Sequence, residues 1–234
     1  MLTVSICLCN LSFMSNAAKT SKREAETYHH GDLRRALIAS ALELAAEDRN
    51  WDFSLREVAR RAGVSHGAPY NHFAHKRDLL AAAAVAGHEL LRTQLLAAAT
   101  KAKDPRTALL RMGSAYVKFG IENAALYRLI FTAALSGHDW HPEAIIKAGA
   151  ETRATLEEIL RTGAATGTFS PALTRKMDLQ AASVSAWATV HGFTLLAIDG
   201  LANVGQVSIE RLTDKVLAMV LHGLSGKKAS KSDV

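Results

Sequence analysis

Cysteine is almost missing from this chain of 234 residues: the two present, Cys7 and Cys9, both fall within residues 1–13. No distant thiol exists to pair with them, and a lone Cys-x-Cys makes a poor metal site. Proline is nearly as scarce, with four copies, so little interrupts long helices. Alternating apolar and polar runs bounded by turn residues do not occur, which argues against strands. No stretch reaches the roughly 18 consecutive apolar residues of a membrane helix. Catalytic patterns are also missing: there is no Gly-x-Ser-x-Gly elbow, no His-Glu-x-x-His and no dinucleotide fingerprint after a strand. Gly223-Leu-Ser-Gly-Lys227 lacks the spacing of a phosphate loop. The expectation is therefore no enzyme, no cofactor and no membrane partner.

What is present is apolar and basic. Hydrophobic residues make up 49% of the chain, much of it in alanine-rich runs, and the formal net charge is +6. A chain of this length buries a substantial core, and its positive charge favours a polyanionic partner. The decisive stretch is Phe53-Ser-Leu-Arg-Glu-Val-Ala-Arg-Arg-Ala-Gly-Val-Ser-His-Gly-Ala-Pro-Tyr-Asn-His-Phe73. Ser54 with Glu57 three residues on forms a capping box. Leu55, Val58, Ala59 and Ala62 mark one helical face. Gly63 stands where a helix end needs positive φ, and Ser65 is placed to cap a second helix from His66 to Phe73. Helix, glycine turn and second helix make a helix-turn-helix. The small residues His66, Gly67 and Ala68 would bring the second helix close to base edges. Tyr70, His72 and Lys76 offer groups that hold a phosphate backbone. A helical hairpin that touches no DNA has the same spacing, and that alternative stays open on the residues alone.

Leu55-Arg-Glu-Val-Ala-Arg-Arg-Ala-Gly-Val-Ser65, Tyr70-Asn-His-Phe73 and Lys76-Arg-Asp-Leu-Leu80 resemble the N-terminal domain of the TetR family of bacterial transcriptional regulators, over Tyr28 to about Leu91. The resemblance implies a buttressing first helix, Asp32 to Ala46, with Leu33, Leu37, Ala41, Leu44 and Ala45 inward. It further implies phosphate contacts from Ser54, Tyr70, His72 and Lys76, and base contacts from His66, Gly67, Ala68 and Asn71. Ala68 and Pro69 depart from the more frequent Thr-Leu of that family. Ala115 to Phe131 and Trp187-Ala-Thr-Val-His-Gly192 resemble the C-terminal domain of the TetR subgroup with a Trp…His-Gly motif.

The expected architecture is all-α, about nine helices, with an N-terminal helix-turn-helix domain and a C-terminal helical domain for ligand binding and dimerisation. Expected segments are a disordered 1–27, a DNA-binding domain 28–91, an effector and dimer domain 92–225, and a flexible basic tail 226–234. Met14 is the expected translation start, with residues 1–13 an upstream extension. A fourth helix, Lys76 to Ala99, joins the two domains as the expected hinge. Asp104 and Pro105 cap and open a fifth; a sixth runs from Ala124 to Leu135 and a seventh ends near Thr162. The last two, Lys176 to Ile198 and Ser208 to Leu221, are dimer candidates. Met112, Tyr116, Phe119, Phe131, Met177, Trp187 and His191 are candidate effector-pocket residues, with a filled core as the competing reading. His138, Asp139 and His141 read as a polar loop rather than a metal site.

The function expected is a cytoplasmic homodimeric repressor on double-stranded palindromic DNA, released by a small apolar effector. A TetR-type activator and a helical ligand-binding or protein-interaction module are the alternatives. Operator sequence, regulated genes and effector identity are not legible in the chain.

Overall fold

The computed structural model describes residues 22–132, 143–202 and 207–225. No strand occurs among them. The α-helices are α1 (Lys22–Asp48), α2 (Leu55–Arg61), α3 (Lys76–Thr100), α4 (Pro105–Glu122), α5 (Ala124–Thr132), α6 (Glu143–Ala165), α7 (Lys176–Ile198) and α8 (Ile209–Leu224). Two 3₁₀ turns, Ala68–Asn71 and Pro171–Thr174, complete the described elements. The count is one α-helix short of expectation because the second half of the helix-turn-helix is one of those turns. Pro69 has no N–H, so the bond it would return to Ser65 is lost. The neighbouring bonds run over three residues instead: Ala68 N to Ser65 O at 3.0 Å, Tyr70 N to Gly67 O at 3.2 Å and His72 N to Pro69 O at 3.0 Å.

The first helix starts ten residues before the expected Asp32. Lys22, Arg23, Glu24, Ala25 and Glu26 are strong helix formers with no proline among them, and Gly31 alone does not break the run. Expectations about Cys7, Cys9 and Met14, about His138, Asp139 and His141, and about the basic tail lie outside the described residues.

The chain divides into two compact units, Met1–Ala83 and Ala84–Val234. The division falls inside α3, so one continuous helix contributes to both. In the first unit Leu37, Ala41, Leu44 and Ala45 of α1 are buried with Leu55, Val58 and Ala59 of α2, Phe73 and Leu79. Arg61 ties α2 to α1 through a two-pronged bond to Glu47, one arm at 2.8 Å, with Glu43 3.5 Å away.

In the second unit α4 packs against α5, α6, α7 and α8. Asp104 caps α4 through the Thr107 N–H at 2.9 Å, with Pro105 at the first helical position. Tyr127, Phe119 and Phe169 are its largest fully buried side chains. One described helix, α7, is long and apolar enough to cross a membrane by length and composition alone, at a mean hydropathy of 1.4. It turns Ser183, Ala186, Val190 and Thr194 into the core of its own unit.

Candidate nucleic-acid interface and apolar cavity

The reading head is built from its caps outward. Ser54 Oγ accepts from the Glu57 N–H at 3.3 Å, and Glu57 Oε2 accepts from the Ser54 N–H at 2.7 Å. These bonds to Ser54 hold the Glu57 carboxyl below its ordinary pKa, so the box stays closed at neutral pH. Gly63 then takes φ +70°, which glycine adopts without steric cost. The Val64 N–H returns to Ala59 O at 3.0 Å. The next side chains are thereby set out on the surface: Ser65, His66, Gly67, Tyr70 and Asn71 are exposed, and Ala68, His72 and Lys76 partly so.

Two of these have further roles. Ser65 caps no helix by its side chain; its carbonyl accepts from Ala68. Lys76 opens α3 with its ammonium 5.2 Å from the Phe53 ring centroid, a cation–π contact that holds the charge at the surface end of the turn. Arg34 covers Phe73 in the same way at 5.2 Å.

The second unit holds a partly open cavity of about 290 Å³. Its walls come from α3 (His88, Leu95), α4 (Leu109, Met112, Tyr116), α5 (Ile130, Phe131), α6 (Ile145, Gly149, Thr152, Leu156), α7 (Trp187, Val190) and α8 (Leu217). Of the candidate pocket residues, Met112, Tyr116, Phe131 and Trp187 line it. Phe119, Met177 and His191 do not. Phe119 is fully buried in filled core, and Met177 is 75% exposed on the opposite side of α7. Helical spacing places a residue on a face but does not say whether that face meets a void. The candidate residues include neither His88 on α3 nor any side chain of α6, although α6 is one of the helices expected around the cavity. A lone histidine among alanines and leucines was the available signal for the first. For α6 it was the row Ile145, Gly149, Thr152 and Leu156, three or four residues apart.

His191 sits behind the cavity in a hydrogen-bonded cluster. Its Nδ1 lies 2.7 Å from Tyr127 Oη and 3.1 Å from Tyr116 Oη, and Trp187 Nε1 donates to Tyr116 Oη at 3.1 Å. Tyr116 and Trp187 border the void while Tyr127 and His191 do not, so the cluster walls off that end. The i, i+4 spacing of Trp187 and His191 is spent on this interior wall. Burial pushes both tyrosine hydroxyls above their ordinary pKa and the His191 imidazole below its own. The phenols stay protonated donors and the imidazole a neutral acceptor.

His88 is likewise held low by burial, with the Ile130 carbonyl acting in the opposite direction. Both histidines therefore favour the neutral form in the folded chain. Below about pH 6.5 the unfolded chain takes up protons that the folded one refuses. Their contribution is complete above that value and is lost as pH falls toward the lowered native pKa values. The thermal midpoint should be level above about pH 7 and drop as pH falls below about 6.5. His88→Leu should flatten part of that drop; an unchanged profile would show that His88 protonates freely when folded. The exposed carboxylates held low, Glu47, Glu57, Asp104 and Glu210, titrate below this window.

A capped helix-turn-helix and a largely apolar cavity, among described residues that are all helical, define a ligand-binding type of DNA-binding regulator. Residues 37–83 match the family model for bacterial regulatory proteins of the tetR family, and residues 109–220 match that for the tetracyclin repressor-like C-terminal domain. The chain belongs to the TetR family and is a helix-turn-helix transcriptional regulator. Similar solved structures include a protein of unknown function from Rhodococcus sp. RHA1, with TM-score 0.74 and 28% identity over 85% of this chain and 98% of that one. FadR from Bacillus subtilis, in complex with stearoyl-CoA, has TM-score 0.63 and 18% identity over 81% and 98%. RolR in complex with resorcinol has TM-score 0.61 and 19% identity over 87% and 92%. No curated protein matches the sequence.

Proposed function

We propose that this regulator is a homodimeric repressor, released from a palindromic operator by a small apolar effector that enters the α3–α8 cavity. The observation that carries the reading is that largely apolar cavity in a chain that also bears a capped helix-turn-helix. FadR and RolR, of the same fold, bind stearoyl-CoA and resorcinol, which supports a ligand in the body of this one. In this reading the expected boundary at residue 91 shifts to the division at Ala83: residues 28–83 hold the DNA, and the residues from Ala84, His88 of the cavity wall included, hold the effector and the partner copy. His66, Gly67, Ala68 and Asn71 face bases; Ser54, Tyr70, His72 and Lys76 face phosphates, with Ser65 at the turn between.

The dimer is supported by what α7 and α8 leave uncovered. Met177, Ala181, Val184 and Ala188 recur at four, three and four residues along α7, all exposed, and Met219 of α8 is 74% exposed. A stripe of that spacing fits a second copy of itself across a two-fold axis. Two-fold symmetry would set the reading heads over successive major grooves, about 34–36 Å apart. The effector can shift the equilibrium only by its differential affinity for the DNA-competent and released states, about 10⁴-fold for a full switch. The hinge in this reading is α3, which carries Lys76 near one end and His88 on the cavity wall.

Selection of bound sites from random DNA tests the reading. A palindrome with half-sites one helical turn apart supports it, and enrichment of unpaired sites would overturn the dimer. Lys76→Ala should weaken binding to every DNA sequence alike and reduce the slope of log K against log salt by about 0.9. Filter binding at several salt concentrations reads both; an unchanged slope would remove Lys76 from the phosphate contacts.

A further inference from the structure

The walls of the cavity are largely apolar, and most polar groups among them are engaged within the protein. Trp187 Nε1 donates to Tyr116 Oη at 3.1 Å. Thr152 Oγ1 donates to the Ala148 carbonyl at 2.9 Å, and Thr155 Oγ1 to the Thr152 carbonyl at 2.7 Å. His88 is 5% exposed, and burial favours its neutral form. One lining side chain carries a full charge, that of Arg153 on α6.

The place of that charge follows from the face that α6 turns to the cavity. Ile145, Gly149, Thr152 and Leu156 form its inner row, with Ile145 and Thr152 buried. Ile146, Ala150 and Arg153 form a second row at i, i+4 and i+7, the spacing of one helical stripe. These three are the exposed residues of the lining; every other residue of it is buried or half-buried. An exposed lining residue stands where a cavity meets solvent, so the mouth opens along this outer row. Arg153 sits on its rim, and Ile146 continues the apolar surface two turns before it.

Arg153 makes no hydrogen bond or ion pair with any described residue, Glu157 one turn further on included. A planar guanidinium with its donors free matches a carboxylate, which it holds by two parallel bonds. Deeper in the cavity an ion would lose its water among apolar walls. A ligand suited to this site therefore has two parts, an apolar body inside and an acid group at the mouth. The volume, about 290 Å³, is roughly twice that of a cavity that holds benzene. It admits a fused pair of rings or a chain of middle length.

We propose that the effector is an apolar monocarboxylic acid, seated with its body in the cavity and its carboxylate on Arg153 at the mouth. This rests on the reading of the cavity as the effector site and adds the group that orients the ligand there.

The test titrates the full chain calorimetrically with 2-naphthoate and octanoate, each beside its neutral amide. Each acid should bind about tenfold more tightly than its amide, the order of one charge-assisted hydrogen bond. The margin should shrink between about 0.05 M and about 0.5 M salt. Arg153→Gln should bring acid and amide level by weakening the acid alone, and Arg153→Glu should reverse their order. Because Arg153 is exposed and bonded to no described residue, both variants should keep the wild-type amide affinity and thermal midpoint, which shows that fold and cavity persist. Equal affinity for acid and amide in the wild type, or an acid preference that survives Arg153→Gln and Arg153→Glu, would overturn the acid anchor while leaving the cavity as a ligand site. Failure of all four compounds to bind would overturn the cavity reading and the anchor with it.

Discussion

Gly163→Ala should lower the thermal midpoint by about 6–12 °C, the effect of roughly 3 kcal/mol in a chain of this size. Gly163 lies near the end of α6, where the chain turns back through Gly167 at φ +74°. The Thr168 and Phe169 N–H groups both return to the Gly163 carbonyl, at 2.8 and 3.0 Å. That reversal lays the Phe169 ring against the Gly163 α-carbon. An added Cβ would lie 2.9 Å from Phe169 Cγ and nearer still to Cδ2 and Cε2, closer than carbon atoms approach. The ring has nowhere to go. Phe169 is 2% exposed and packed in one cluster with Leu109, Leu160, Leu173, Leu221 and Leu224. Displacing it would move residues from four elements in a core packed at crystalline density. Scanning calorimetry checks the midpoint, and Phe169→Leu in the same chain should recover part of the loss, since the two positions share one contact. An unchanged midpoint would mean that the ring swings aside without cost.

The parts of this structure that could be read from the chain are those set by bonds a few residues long. Ser54 and Glu57 announce a helix start because each side chain reaches the other's backbone, whatever surrounds them. Asp104 with Pro105, and Gly63 at φ +70°, are local in the same sense. Pro69 is local too, and it stands against the helical pattern of the residues around it. Without a Pro69 N–H the Ala68, Tyr70 and His72 bonds run over three residues, the Phe73 N–H alone reaches back four, to Pro69 O at 2.8 Å, and the expected second helix tightens into a turn. Other features depend on what lies across the core. Met112 and Tyr116 are visible as one face of α4, yet nothing along α4 says that Phe119 meets filled core while its neighbours meet a void. His88 shows the limit most clearly. In sequence it is a lone histidine in an alanine-rich helix, where a satisfied core imidazole is the ordinary expectation; only the packing of α5 and α6 around it leaves Nδ1 without a partner.

Gly149→Phe should produce a regulator that holds its operator and no longer answers its effector. Gly149 lines the cavity from α6, and a Cβ there would stand at ordinary van der Waals distance from His88, 3.5 Å. The backbone therefore accepts a side chain, and replacing a mid-helix glycine removes a cost of up to about 1 kcal/mol in helix propensity. The ring itself extends into the void and takes up volume that a ligand would need. Effector affinity should fall by about 100-fold or more, the equivalent of about 3 kcal/mol of lost apolar burial. Operator affinity should change little, because the substitution lies far along the chain from Ser54 to Lys76 and removes no group that faces DNA. Fluorescence anisotropy on a labelled operator, with and without effector, separates the two quantities in one experiment. Release of the variant at the wild-type effector concentration would place the ligand outside this cavity. Retained DNA binding without release would tie the response to the void itself, because a ligand that cannot enter has no differential affinity with which to shift the two states.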